Sequence, residues 1–125
     1  MTKYSTINFG TMDDVAKMEH GKAFLHDALS LTSAEISISV MPAGATSPFN
    51  HVHKQNEEIY IFLSGNGTFS VDNETIEIKP GTAIRVATGA KRAMSNTGNT
   101  QMQYICIQAK ENSLTQFGFG DAEIC

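Results

Sequence analysis

A chain of 125 residues is long enough for one domain with a buried core, and 41% hydrophobic with 18% charged residues is an ordinary globular composition. The net charge of −4 comes without any basic run, which argues against nucleic acid or an anionic membrane surface as a partner, since both require a Lys/Arg footprint. The longest apolar run, "IYIFL" at 59–63, falls far short of the roughly 20 residues of a membrane helix.

The N-terminal stretch "MTKYSTINFG" lacks the apolar core of a secretory signal, which points to the cytoplasm. One helix is expected at "TMDDVAKMEHG", with Thr11 as N-cap, Asp14 completing a capping box and Gly21 as its stop. Strand signals follow. "EISISV" alternates, with Ile36, Ile38 and Val40 on one face and Glu35, Ser37 and Ser39 on the other. Pro42, Gly44 and Pro48 interrupt it. "EEIYIFLS" is apolar on both faces and reads as a central strand covered on both sides. "TFSV" and "TIEI" flank a tight "DNE" turn, and "TAIRVA", "RAMSN" and "QMQYICIQA" follow between glycine-containing turns. Cys106 in the last of these reads as a small buried hydrophobe, and two cysteines, Cys106 and Cys125, make no disulfide framework. The tail "ENSLTQFGFGDAEIC" fits either a terminal strand or an interface segment. With about eight short strands and almost no intervening helix, the expected class is all-β: a single antiparallel barrel or jelly roll over 1–125 with one short N-terminal helix.

The chemistry is concentrated in "FNHVHKQNEE". Residues i and i+2 of a strand share a face, so His51 and His53 present two imidazoles on one side, with Val52 turned away. A carboxylate comes next, Glu57 or Glu58. Glu58 shares parity with Tyr60 and Phe62, whereas Glu57 shares it with the aliphatic Ile59, Ile61 and Leu63. The aliphatic face suits an outer packing layer, which leaves Glu58 for the interior. His20 and His26 have no motif around them and are taken as non-functional.

These residues resemble the first motif of the cupin superfamily, in which a glycine precedes His-x-His, a glutamate follows, and a further glycine comes six residues later. Here Gly44 leads the pair by one residue more than is usual, and Glu58 stands at the motif spacing from His53 and Gly65. The second cupin motif is matched by Gly81, Gly89 and Asn96, with two departures: Ala87 replaces a proline, and Arg92 replaces the histidine that would be a fourth ligand. The resemblance covers about residues 36–109 and implies a small β-barrel.

It further implies one divalent transition metal, zinc, iron, manganese or nickel, on His51, His53 and Glu58. Arginine has no lone pair for a metal. Arg92 is therefore expected either to clamp an anionic ligand or to pair with Glu58 in place of the metal's charge. Tyr60, Phe62 and Met94 are candidates for barrel packing or for lining a ligand pocket. The resulting function is a metal-dependent oxygenase or isomerase acting on a small, anionic molecule, or a non-enzymatic module binding a sugar or metabolite. A scaffold dimerising through sheet edges and the tail is a third reading, and a homodimer is expected. No nucleic-acid or membrane partner is expected.

Overall fold

The computed structural model describes residues 3–125. Among these, eight antiparallel strands form two sheets. The strands are β1 (Lys22–Phe24), β2 (Glu35–Met41), β3 (Asn56–Ser64), β4 (Gly67–Val71), β5 (Glu74–Ile78), β6 (Ala83–Val86), β7 (Arg92–Asn96) and β8 (Met102–Lys110). The larger sheet has the order β1-β2-β8-β3-β6, and the smaller one β5-β4-β7. The core lies between them. Phe62, Phe69, Ile78 and Met102 are fully enclosed there. Tyr60 and Phe69 stack edge-on with centroids 4.8 Å apart, and Phe62 and Tyr104 lie 5.4 Å apart. Each such side chain contributes about 1.5–3 kcal/mol through burial.

The predicted helix is shorter than its sequence pattern. Helix α1 spans Met12–Ala16, and a separate 3₁₀ turn covers Glu19–Gly21. The capping box forms: Asp14 N–H donates to Thr11 Oγ1 at 3.2 Å, and Thr11 N–H donates to Asp14 Oδ2 at 2.9 Å. Val15 is fully buried against Ala23 and Val40, so α1 covers the outer surface of β1 and β2. A second short helix, α2 (His26–Leu29), carried no recognisable signal. The tail forms no strand; it has a 3₁₀ turn at Phe119–Asp121, and residues 110–125 are all exposed.

Two strands differ from their patterns. The alternation of β2 runs opposite to the usual polar-out arrangement. Ser37 and Ser39 point inward and are buried, while Ile36 and Ile38 face outward and are partly exposed. Strand β3 is central, between β8 and β6, but covered on one side only. Its inward residues Glu58, Tyr60 and Phe62 are buried, whereas Leu63 on the other face is 53% exposed.

Gly65 turns the chain out of β3 at φ +93°, and a Cβ there would stand 2.7 Å from the Met102 Cα, so only glycine fits. Asn96 ties the far end of the barrel together. Its Nδ2 is shared among the carbonyls of Met41 (3.1 Å), Pro42 (3.1 Å) and Thr100 (2.8 Å), and its Oδ1 accepts from the Gly98 N–H at 3.0 Å. With the side chain buried, truncation strands several backbone groups at about 1–3 kcal/mol each. Asn96→Ala is expected to lower the unfolding free energy by about 3 kcal/mol in urea titration. A loss below about 0.5 kcal/mol would mean that these bonds do not hold the loops.

Candidate metal centre

The site is assembled from both sheets. After β2 the chain runs antiparallel beside β7 without forming a continuous strand. Asn96 N–H donates to Ala45 O at 2.8 Å and Ser47 N–H to Met94 O at 2.9 Å. Pro48 has no N–H to give, and pairing resumes only at His51, which forms a two-way bridge with Arg92 (His51 N to Arg92 O 3.2 Å, Arg92 N to His51 O 3.1 Å). His53 lies outside any strand, its carbonyl accepting from Gly89 N–H at 2.9 Å. The expected regular strand through "HVH" is therefore a single bridge followed by loop. Both rings nonetheless turn the same way, with centroids 5.3 Å apart, and Val52 turns outward.

Glu58 reaches them from β3 across the barrel interior. His51 Nε2 lies 3.7 Å from Glu58 Oε1, and His53 Nε2 lies 3.3 Å from Oε2. Donor atoms of these three residues all fall within 4.8 Å of one another. Glu57 points outward, 3.8 Å from Arg85.

Glu58 is only 4% exposed and is held by two further donors: Tyr60 Oη at 2.7 Å and Cys106 Sγ at 3.3 Å. Both donors keep their protons. Burial, then the charges of Cys106 and Glu58, raises the Tyr60 pKa far above its usual value. Burial and then Glu58 push the Cys106 thiol up to about 12. His51 is shifted the other way. Burial lowers its pKa, with Arg92 and His53 adding to the effect and Glu58 working against it. Its imidazole is thus neutral at pH 7, with a lone pair to offer.

Arg92 stands behind Glu58, with Nε 3.8 Å from Oε1. It is 1% exposed, and none of its three side-chain nitrogens has a hydrogen-bond partner. The 3.8 Å separation is an ion pair and too long for a hydrogen bond.

A cavity of about 460 Å³ opens beside the centre; His51, Glu58, Tyr60, Met94, Tyr104 and Cys106 are among its lining residues. Phe62 and Arg92 are enclosed behind its wall. Sequence reasoning missed Cys106 as a partner of Glu58, although its parity with Tyr104 on β8 places it on the inward face. It also missed Lys22, Ser37 and Ser39, which reach the same interior.

Two imidazoles and one carboxylate, converging from facing sheets, are a donor set that would suit a divalent transition ion. The carboxylate is already oriented by Tyr60 and Cys106, as second-layer donors orient metal ligands.

Comparison with known proteins agrees with this architecture. The cupin domain family matches residues 37–108. A crystal structure of a cupin protein from Bacteroides fragilis superposes with a TM-score of 0.86 at 38% identity, covering 100% of this chain and 99% of that one. A protein from Methanocaldococcus jannaschii is 32% identical over 68 residues, 54% of each chain. The oxalate-binding protein of Thermotoga maritima is 32% identical over 57 residues, 46% of this chain and 47% of that one. The chain spans about half the length of these two curated relatives. No helix among the described residues is long and apolar enough to cross a membrane. With the motif glycines, the two-sheet barrel and the His-His-Glu cluster all in place, the chain belongs to the cupin family.

Proposed function

We propose that this cupin holds one divalent ion, zinc, iron, manganese or nickel, on His51, His53 and Glu58 and uses it to bind a small anionic molecule in the adjoining cavity. The observation that carries the metal is the convergence of His51, His53 and Glu58 donor atoms within 4.8 Å; the anion is argued from the buried Arg92 guanidinium beside Glu58, without a hydrogen-bond partner. One carboxylate leaves a dication with an excess of positive charge, and Arg92 adds to it. Positive charge enclosed at low dielectric demands an anion nearby. Arg92 is 1% exposed and is not among the residues lining the cavity, which supports an influence through the field over a clamp. The name of the oxalate-binding relative supports a carboxylate-bearing ligand.

The bound ion would supply Lewis-acid polarisation of a ligand oxygen. The chain's own residues orient and exclude: Tyr60 and Cys106 fix the Glu58 carboxylate, and Met94 and Tyr104 give the cavity an apolar wall. Tyr60 and Cys106 remain protonated and donate to Glu58, so neither serves as a base at neutral pH. This favours binding or sensing, with oxygenase or isomerase chemistry confined to the ion's open positions. The Glu58–Arg92 pair also favours a second reading, a metal-free pocket in which Arg92 alone neutralises the carboxylate. The buried Cys106 and unpaired Cys125 suit a reducing, cytoplasmic setting.

We propose in addition that the protein is a homodimer. Ile36, Ile38, Ile59, Ile61, Ile105 and Ile107 form a partly exposed band on the outer face of β2, β8 and β3. The tail adds Leu114, Phe117, Phe119 and Ile124, which are 71%, 84%, 96% and 102% exposed. One chain thus carries both an uncovered apolar sheet face and an uncovered apolar arm, and a second copy would cover both by two-fold exchange.

Elemental analysis of untagged protein is expected to find one ion per chain, lost in His51→Ala and in His53→Ala. Metal-free protein whose melting temperature ignores added Zn²⁺, Mn²⁺ and Fe²⁺ would leave only the second reading. Removing the charge behind Glu58 in Arg92→Met is expected to tighten metal binding at least about tenfold while weakening the oxalate-induced rise in melting temperature; no change in either would eliminate the field argument. Light scattering is expected to give a dimer for the native chain and a monomer for Ile61→Glu or Ile105→Glu, and an unaltered mass would rule out this face.

A further inference from the structure

Lys22 on β1 lines the same cavity. Its Nζ donates to Ser39 Oγ at 2.9 Å and to Tyr104 Oη at 3.2 Å, and it sits 5.0 Å from the centroid of the Tyr104 ring. Both acceptors belong to buried residues, and both are neutral. Among the described residues no carboxylate lies within 4.0 Å of this ammonium group. Lys22 is half-buried, and an ammonium carries three donors, so one is left to point into the cavity, with no carboxylate beside it. The Tyr104 ring face is a weaker partner for this cation than an anion would be.

The inverted strand β2 gives this end of the cavity its character. Ser37 and Ser39 face inward where a barrel built only for packing would place isoleucines. Pairing registers then fix where Lys22 stands. Lys22, Ser39, Tyr104 and Phe62 lie side by side across β1, β2, β8 and β3. Glu58 is four residues further along β3, about 13 Å of backbone at ~3.3 Å per residue, with the Ser37–Cys106–Tyr60 row between. The cavity therefore has a cation at one end and the His-His-Glu centre at the other.

We infer that Lys22 is a second anion-binding pole and that the natural ligand is a small dianion of the dicarboxylate class, longer than oxalate, spanning from the metal centre to Lys22. This rests on the preceding reading that the centre holds an ion and accepts an anion. A ligand of two carbons can satisfy one end only. Hydrogen bonds that Lys22 donates to Ser39 and Tyr104 hold its side chain in place, which makes it a specificity residue with no part in ligating the ion.

The test is calorimetric titration of the zinc-loaded protein with oxalate, malonate, succinate and glutarate, and with butyrate and valerate as length-matched monocarboxylates for the last two. The best dicarboxylate is expected to be longer than oxalate and to bind about tenfold or more tightly than its monocarboxylate match. In Lys22→Gln, which keeps a donor for Ser39 and Tyr104, that preference is expected to collapse with monocarboxylate affinity unchanged; Lys22→Arg is expected to retain it. Equal binding of mono- and dicarboxylates, oxalate as the tightest ligand, or an equal loss of both classes in Lys22→Gln would overturn the role of Lys22 and leave the metal-centre reading standing. Protein that takes up zinc but binds no carboxylate at all would overturn both. The length series in the native protein decides the matter even where a variant does not fold.

Discussion

The Glu58 carboxylate, 4% exposed, is the constraint around which this barrel is built. A charge removed from water must be met by donors or counter-charges at short range. Glu58 is met from four directions: His51 and His53 from the loop beside the smaller sheet, Tyr60 from its own strand, Cys106 from the neighbouring strand, and Arg92 from behind. The contacts join the two sheets through one group, so the position of the ligand set and the closure of the barrel are a single problem. The same environment keeps the phenol and thiol protonated, and the centre gathers its donors without gaining a general base among them.

Around this group the two sides of the larger sheet have exchanged their usual characters. Its inner surface carries Ser37, Ser39, Lys22 and Cys106 among the aromatics, while its outer surface carries a band of isoleucines. Neither side makes sense as plain core packing. A polar inner wall needs a polar occupant, and an apolar outer wall needs a cover. Helix α1 and its flanks supply that cover over Val40, Ala23 and part of Ile38, at the β1–β2 end. One shift in the facing of a strand thus connects what the cavity receives with what the outside of the barrel meets.

How much of this was legible follows from what periodicity encodes. Alternation tells which residues share a face, and for β3 it grouped Glu58 with Tyr60 and Phe62 because a polar tip and an aliphatic row are easily told apart. Alternation does not say which face is inside. In β2 the serines and isoleucines fell into the right groups, but which group faces inward depends on the neighbours Cys106 and Tyr104, far away in sequence. Strand β1 has three residues, too few to show any period, so Lys22 had nothing to single it out. The broken pairing at Pro48 turned an expected strand through the histidines into a bridge and a loop. Motif spacing succeeded where periodicity failed: Gly65 and Asn96 are set by close approach and by hydrogen bonds to loops, and such local demands are written residue by residue.

The bridge between His51 and Arg92 has a consequence for how such a centre changes over time. Its two hydrogen bonds run backbone to backbone, so they are indifferent to the side chain at position 92. That side chain nevertheless sits where it sets the electric potential at the carboxylate. Potential at a metal governs both the redox poise of the ion and the acidity of water bound to it. For any ion held there, exchanging the residue at position 92 would shift that potential while leaving the backbone bridge that places His51 intact, provided the space of the buried side chain is filled again.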